Sequence, residues 1–168
     1  MTLYLCAAAA HEFFADEWLG DIAAHGWTGI RVDGQHATPE QCAQRVQQVT
    51  DAGLRCLLIV SDTNQLHHLP GGTEIEVRNE PDIGTNEQVS PGRYVDLASG
   101  CADLAGVLGL GRVWIGAVSN LNRRGLDYLS AVFGARVWPD HVGCTVHRYP
   151  HGGYDQSPLR AHDGFASR

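Results

Sequence analysis

The residues best suited to chemistry in this 168-residue chain are Arg78-Asn79-Glu80-Pro81-Asp82. A glutamic acid can give or take a proton, an adjacent asparagine can hold a substrate hydroxyl, and a proline fixes the direction in which the backbone departs. The same residue types also make a good surface turn, so the element that presents them decides their meaning. Residues 74–79 alternate polar and apolar, which predicts a strand with this segment at its end. A carboxylic acid at the C-terminal end of a parallel strand opens into the mouth of the sheet, where the catalytic groups of parallel α/β folds gather.

Other reactive side chains are plentiful but scattered. Five cysteines, Cys6, Cys42, Cys56, Cys101 and Cys144, form no C-x-x-C pair, so buried reduced thiols are expected rather than a zinc ribbon or a disulfide framework. Among the nine histidines, His67 and His68 are neighbours and His147, His151 and His162 fall late in the chain. There is no H-x-H on the first strand and no H-E-x-x-H on a helix, so these read as loop residues; no metal and no cofactor is expected. A metal-dependent hydrolase is retained only as a distant alternative.

Short apolar runs alternate with amphipathic stretches along the chain. Strands are predicted at 3–9, Gly29–Asp33, 54–60, 74–79, Val113–Val118 and Val142–Val146. Between them, helices are predicted at 12–24, from the cap and proline at Thr38-Pro39 to 52, from Ser90-Pro91 to 108, and over 122–133. The connection 61–73 reads as a loop, and so does the tail from 150 until Ala166, where a helix start is expected. Six strand-helix repeats imply a parallel sheet with right-handed crossovers, either open and doubly wound or the larger part of a (β/α)8 barrel. Length favours the open sheet, but the G-x-G-x-x-G and G-x-x-x-x-G-K-[ST] signatures are missing.

Three motifs favour the barrel. Asn79-Glu80-Pro81 follows the fourth strand, Gly26-Trp27-Thr28-Gly29-Ile30-Arg31 ends in an arginine on the second, and His147-Arg148-Tyr149 closes the sixth. With these motifs on strands two, four and six in chain order, the chain resembles the clan of retaining glycoside hydrolases built on the (β/α)8 barrel. The resemblance implies an α/β, TIM-barrel-like fold, truncated after the sixth strand, with 1–168 as a single domain incomplete at its C-terminus. It implies Glu80 as general acid/base, Asn79 on the sugar hydroxyl beside the reacting carbon, Arg31 keeping the nucleophile ionised, Tyr149 orienting it, and His147 lining the sugar subsite. Retaining hydrolysis needs a second carboxylate about 5 to 5.5 Å from the first. In the clan that group lies on strand seven, so the nucleophile is not expected in this chain. Asp33, Asp62 and Asp155 share the rim but read as loop chemistry. A carbohydrate-binding remnant without turnover is the alternative.

Of the aromatics, Trp114 reads as core, Trp138 as lying at the wrong end for a sugar platform, and Tyr154 and His151 as better placed to touch ligand. The charge balance of 12 − 19 = −7, with arginine the only strong base, argues against nucleic acid or an anionic membrane as partner. A carbohydrate is the expected ligand. The apolar run after Leu3 has no preceding positive charge and falls short of the ~20 residues of a span, so neither a signal peptide nor a membrane segment is expected and a cytoplasmic setting is the default. A barrel open after six strands leaves two sheet edges, for which a second copy or a partner chain is the expected cover.

Overall fold

β-Branched and leucine-rich runs set the strands, and each is stopped by a turn or a cap. In the computed structural model, residues 4–6, 16–82, 88–119 and 121–146 are described. The strands are β1 (Tyr4–Cys6), β2 (Gly29–Asp33), β3 (Arg55–Val60), β4 (Glu74–Val77), β5 (Val113–Val118) and β6 (Val142–Val146). The helices between them are α1 (Asp16–Ala24), α2 (Pro39–Asp51), α3 (Pro91–Leu108) and α4 (Arg123–Gly134). Thr38 caps α2 in a reciprocal box with Gln41, and Asn122 caps α4 through Gly125 N–H. Pro39 and Pro91 occupy the first helical turns, where a missing N–H is harmless.

The six strands lie in one parallel sheet in the order β1-β2-β3-β4-β5-β6. This order decides between the two architectures. A doubly wound sheet reverses direction part way so that helices cover both faces, whereas a sheet that grows one way with right-handed crossovers puts every helix on the same face. The burial pattern agrees. Ile30, Val32, Cys56, Leu58, Val60, Ile75, Val77, Val113 and Ile115 join one core with Leu19, Val46, Val49, Tyr94, Ala98 and Leu129 of the helices. The alternate residues of β2 to β5, including Arg31, Leu57, Ile59, Glu74, Glu76 and Trp114, face the other way. Helices on one face and side chains of alternate strands meeting on the other make a TIM-barrel-like arrangement.

The bounds of β2, β3, β5 and β6 follow the sequence to within a residue, residues 3 and 7–9 of the first predicted strand and 12–15 of the first predicted helix lie outside the described residues, and β4 is the telling exception. β4 stops at Val77 rather than Asn79, because Arg78 turns left-handed with φ 59°. The 61–73 connection also contains a short 3₁₀ turn, Thr63–Leu66, capped by Asp62 through Asn64 N–H. Gly34 sits where a Cβ would lie 2.8 Å from the Ile59 carbonyl, so only glycine lets the chain leave β2 this close to β3. Among the described residues no helix is long and apolar enough to cross a membrane.

Candidate functional site

The end of β4 is held by its own backbone. Arg78 N–H donates to the Val60 carbonyl of β3 at 2.8 Å, Asn79 N–H to Gln35 Oε1 at 3.0 Å, and Glu80 N–H to the Ala117 carbonyl of β5 at 3.1 Å. Three consecutive amides therefore bond to three different neighbours, and the chain can meet them only by twisting. Arg78 and Glu80 take φ values of 59° and 50°, and Ala117 beside them takes 34°. Left-handed backbone at non-glycine residues costs of order 1–3 kcal/mol each and persists where the surroundings over-determine it. Beyond the turn, Asp82 is buried and accepts from Ser119 N–H at 2.9 Å and Ser119 Oγ at 3.0 Å, tying the segment to the end of β5.

Tyr94 of α3 makes this twist accommodable. The ladder between β4 and β5 pairs Ile75 with Val113 and Glu76 with Trp114 and then ends. The fully buried Tyr94 hydroxyl continues it, donating to the Val77 carbonyl and accepting from Gly116 N–H, both at 2.8 Å. Burial drives the phenol well above its ordinary range, so it remains a neutral donor.

On the face away from the helices, Arg31 of β2 reaches Glu76 of β4 across the width of β3. Its Nε donates to Glu76 Oε2 at 3.0 Å, and its Nη2 donates both to Glu76 Oε1 and to Asn79 Oδ1, the latter at 3.0 Å. The Glu76 side chain is 1% exposed and that of Arg31 13%, so the pair is buried and depends on this geometry. A second set lies nearer the strand starts: Glu74 accepts from Arg55 and, at 2.8 Å, from the Trp114 indole N–H. Trp114 is thus half-buried on the inner face, with Arg112 stacked over it at 5.4 Å, rather than in the helix-side core.

The structure brings together Arg31 and Asn79 and places the Glu80 backbone beside them, half-buried at the strand end. His147, Tyr149, His151, Tyr154 and Asp155 lie outside the described residues. Of the other rim acids, Asp33 accepts from Gln35 N–H at 2.9 Å and Asp62 caps the 3₁₀ turn, as loop chemistry requires. Glu76 and Gln35 are the residues that sequence reasoning missed. The alternation Glu74-Ile75-Glu76-Val77 carried the signal for Glu76, since it puts two acids on the face that bears Arg31.

Among the described residues no group of three or more His, Cys, Asp and Glu is arranged to hold a metal ion. Cys42, Cys56 and Cys101 are buried and free, and desolvation pushes their thiols to about 11, about 12 and about 12. A cavity of about 180 Å³ lies between α2 and the starts of β3 and β4, lined by Thr50, Arg55, Pro70 and Thr73 among others. It is at the N-terminal end of the strands, opposite Asn79 and Glu80.

The fold and the strand-end cluster define a parallel, barrel-type α/β chain in which Arg31, Glu76 and the Asn79 carboxamide meet beside the end of β4. No family model matches the chain, and no curated protein does. A solved structure similar to it is the crystal structure of a D-psicose 3-epimerase in the presence of D-fructose. The two are 14% identical, with a TM-score of 0.49, over 81% of this chain and 58% of that one. The chain therefore spans less than two thirds of the length of that protein. The assignment of the fold rests on the strand order and the single helix-covered face.

Proposed function

We propose that the mouth of the sheet binds carbohydrate and that Glu80 acts there as general acid/base in the hydrolysis of an O-glycosidic bond by the retaining, two-carboxylate route. The observation that carries this reading is the clamping of residues 78–80 to three neighbouring elements, with Asn79 also bonded to Arg31. Such fixation suits a proton donor, which must meet the leaving oxygen within hydrogen-bond reach. Asn79 would hold the hydroxyl next to the anomeric carbon. His147 and Tyr149 would complete the subsite from the end of β6.

The attacking carboxylate is assigned to no described residue. Glu76 is buried behind Arg31, while Asp33, Asp62 and Asp82 each accept structural hydrogen bonds. That occupancy favours a second reading, carbohydrate binding without turnover by this chain alone. Assays of the purified chain on β-glycosides with poor and with activated leaving groups separate the two. Hydrolysis that falls by about 10²-fold or more in Glu80→Gln, chiefly on poor leaving groups, supports the enzyme. Hydrolysis indifferent to Glu80→Gln removes Glu80 from the reaction, and saccharide binding without hydrolysis supports the second reading.

A further inference from the structure

We infer that Glu76 is a positioning residue: through Arg31 it locks the Asn79 carboxamide with its oxygen turned inward, leaving the Nδ2 group as a fixed hydrogen-bond donor for an acceptor oxygen of the ligand. The inference rests on the reading of the mouth as a carbohydrate site and deepens it by stating the polarity of one contact.

A guanidinium has donors and no acceptor, so whichever prong of the Asn79 amide faces Arg31 must be the oxygen. The contact from Arg31 Nη2 to Asn79 Oδ1 at 3.0 Å therefore settles the orientation chemically. Turning the amide over would set N–H groups against N–H groups. Arg31 is itself held by two of its nitrogens on the Glu76 carboxylate, an arrangement that fixes the plane of the guanidinium as well as its position. The Glu76 side chain is 1% exposed and that of Arg31 13%, so the contact that aligns the guanidinium is shielded from water. The Asn79 backbone is fixed independently by Gln35 Oε1. Main chain and side chain are thus both constrained, and among the described residues Nδ2 meets no acceptor. A sugar hydroxyl oxygen supplies one; a ligand group that can only donate does not.

The test uses the full chain labelled with ¹³C and ¹⁵N. Asn122, whose Oδ1 accepts from Gly125 N–H, serves as an internal control. In Glu76→Gln the carbonyl carbon of the Asn79 side chain is expected to shift upfield as its oxygen loses the aligned guanidinium, while that of Asn122 stays in place. An unchanged Asn79 signal overturns the inference. Should Glu76→Gln not fold, Asn79→Asp decides, because it keeps an acceptor for Arg31 while removing the donor. Titrated with a panel of methyl β-glycosides, Asn79→Asp is expected to melt cooperatively and to bind about tenfold more weakly than the parent. Parental affinity in that variant also overturns the inference. If the parent binds no glycoside in the panel but Glu76→Gln still moves the Asn79 signal, the positioning role stands and the carbohydrate reading falls.

Discussion

Replacing Tyr94 by phenylalanine removes one oxygen from the seam between β4 and β5, and the structure sets what that oxygen is worth. It accepts from Gly116 N–H and donates to the Val77 carbonyl, both at 2.8 Å and with no exposure to water. Phenylalanine fills the ring's space but leaves one backbone donor and one acceptor buried and unmet. Each such orphan costs about 1–3 kcal/mol, and partial closure of the seam recovers some, so a loss of roughly 2–4 kcal/mol is expected. Against a typical stability of about 5–15 kcal/mol this is large and measurable by urea unfolding at pH 7. The pH dependence adds a second check. Burial raises the Tyr94 pKa above the unfolded value of about 10, so its contribution is whole below pH ~10 and is lost as pH climbs toward the folded value. The gap between parent and Tyr94→Phe should therefore narrow above pH ~10. A loss under about 0.5 kcal/mol, below the cost of a single orphaned group, would show that the Tyr94 hydroxyl does not bridge the seam, as would a gap that stays constant up to strongly alkaline pH.

Other substitutions probe the inner face and the turn. Arg31→Met should cost about 3–5 kcal/mol by leaving Glu76 charged and buried, while Arg31→Met with Glu76→Met should recover most of it; additive losses in denaturation would contradict a coupled pair. Glu80→Gly relieves a φ of 50° and should leave stability equal or up to about 1 kcal/mol higher while abolishing any turnover, so a clearly lower melting temperature would count against strain at this residue. In the native protein at pH 8, the exposed Cys144 should react with a thiol reagent well before the buried Cys42, Cys56 and Cys101; desolvation raises all four thiols, so access to the reagent sets the order. Peptide mapping that finds Cys56 labelled as fast as Cys144 would show that the core opens.

Periodicity made most of the scaffold legible. Gly29–Asp33, Val113–Val118 and Val142–Val146 run as their apolar patterning requires, and Thr38-Pro39 announces α2 because a side-chain oxygen and a missing N–H both suit a helix start. The end of β4 was not legible, since nothing local to Arg78 or Glu80 asks for a left-handed backbone. That conformation comes from Val60, Gln35 and Ala117, residues distant in sequence whose carbonyl and amide oxygens capture three successive N–H groups. Nor did composition show that Glu76 would be buried. Its alternation with Val77 was visible, but which face of the sheet closes over it depends on Arg31 arriving from two strands away. Trp114 illustrates the same limit: a strand tryptophan was expected in the core, and the partner that draws its indole to the inner face is Glu74.

The most direct test is the crystal structure of the chain soaked with an oligosaccharide that it binds. The sugar is expected at the C-terminal ends of the strands, with a hydroxyl oxygen on Asn79 Nδ2 and the Glu80 carboxyl within about 2.6–3.2 Å of a glycosidic oxygen. Sugar density confined to the opposite end, in the cavity beside Pro70 and Thr73, with the mouth empty, would contradict it.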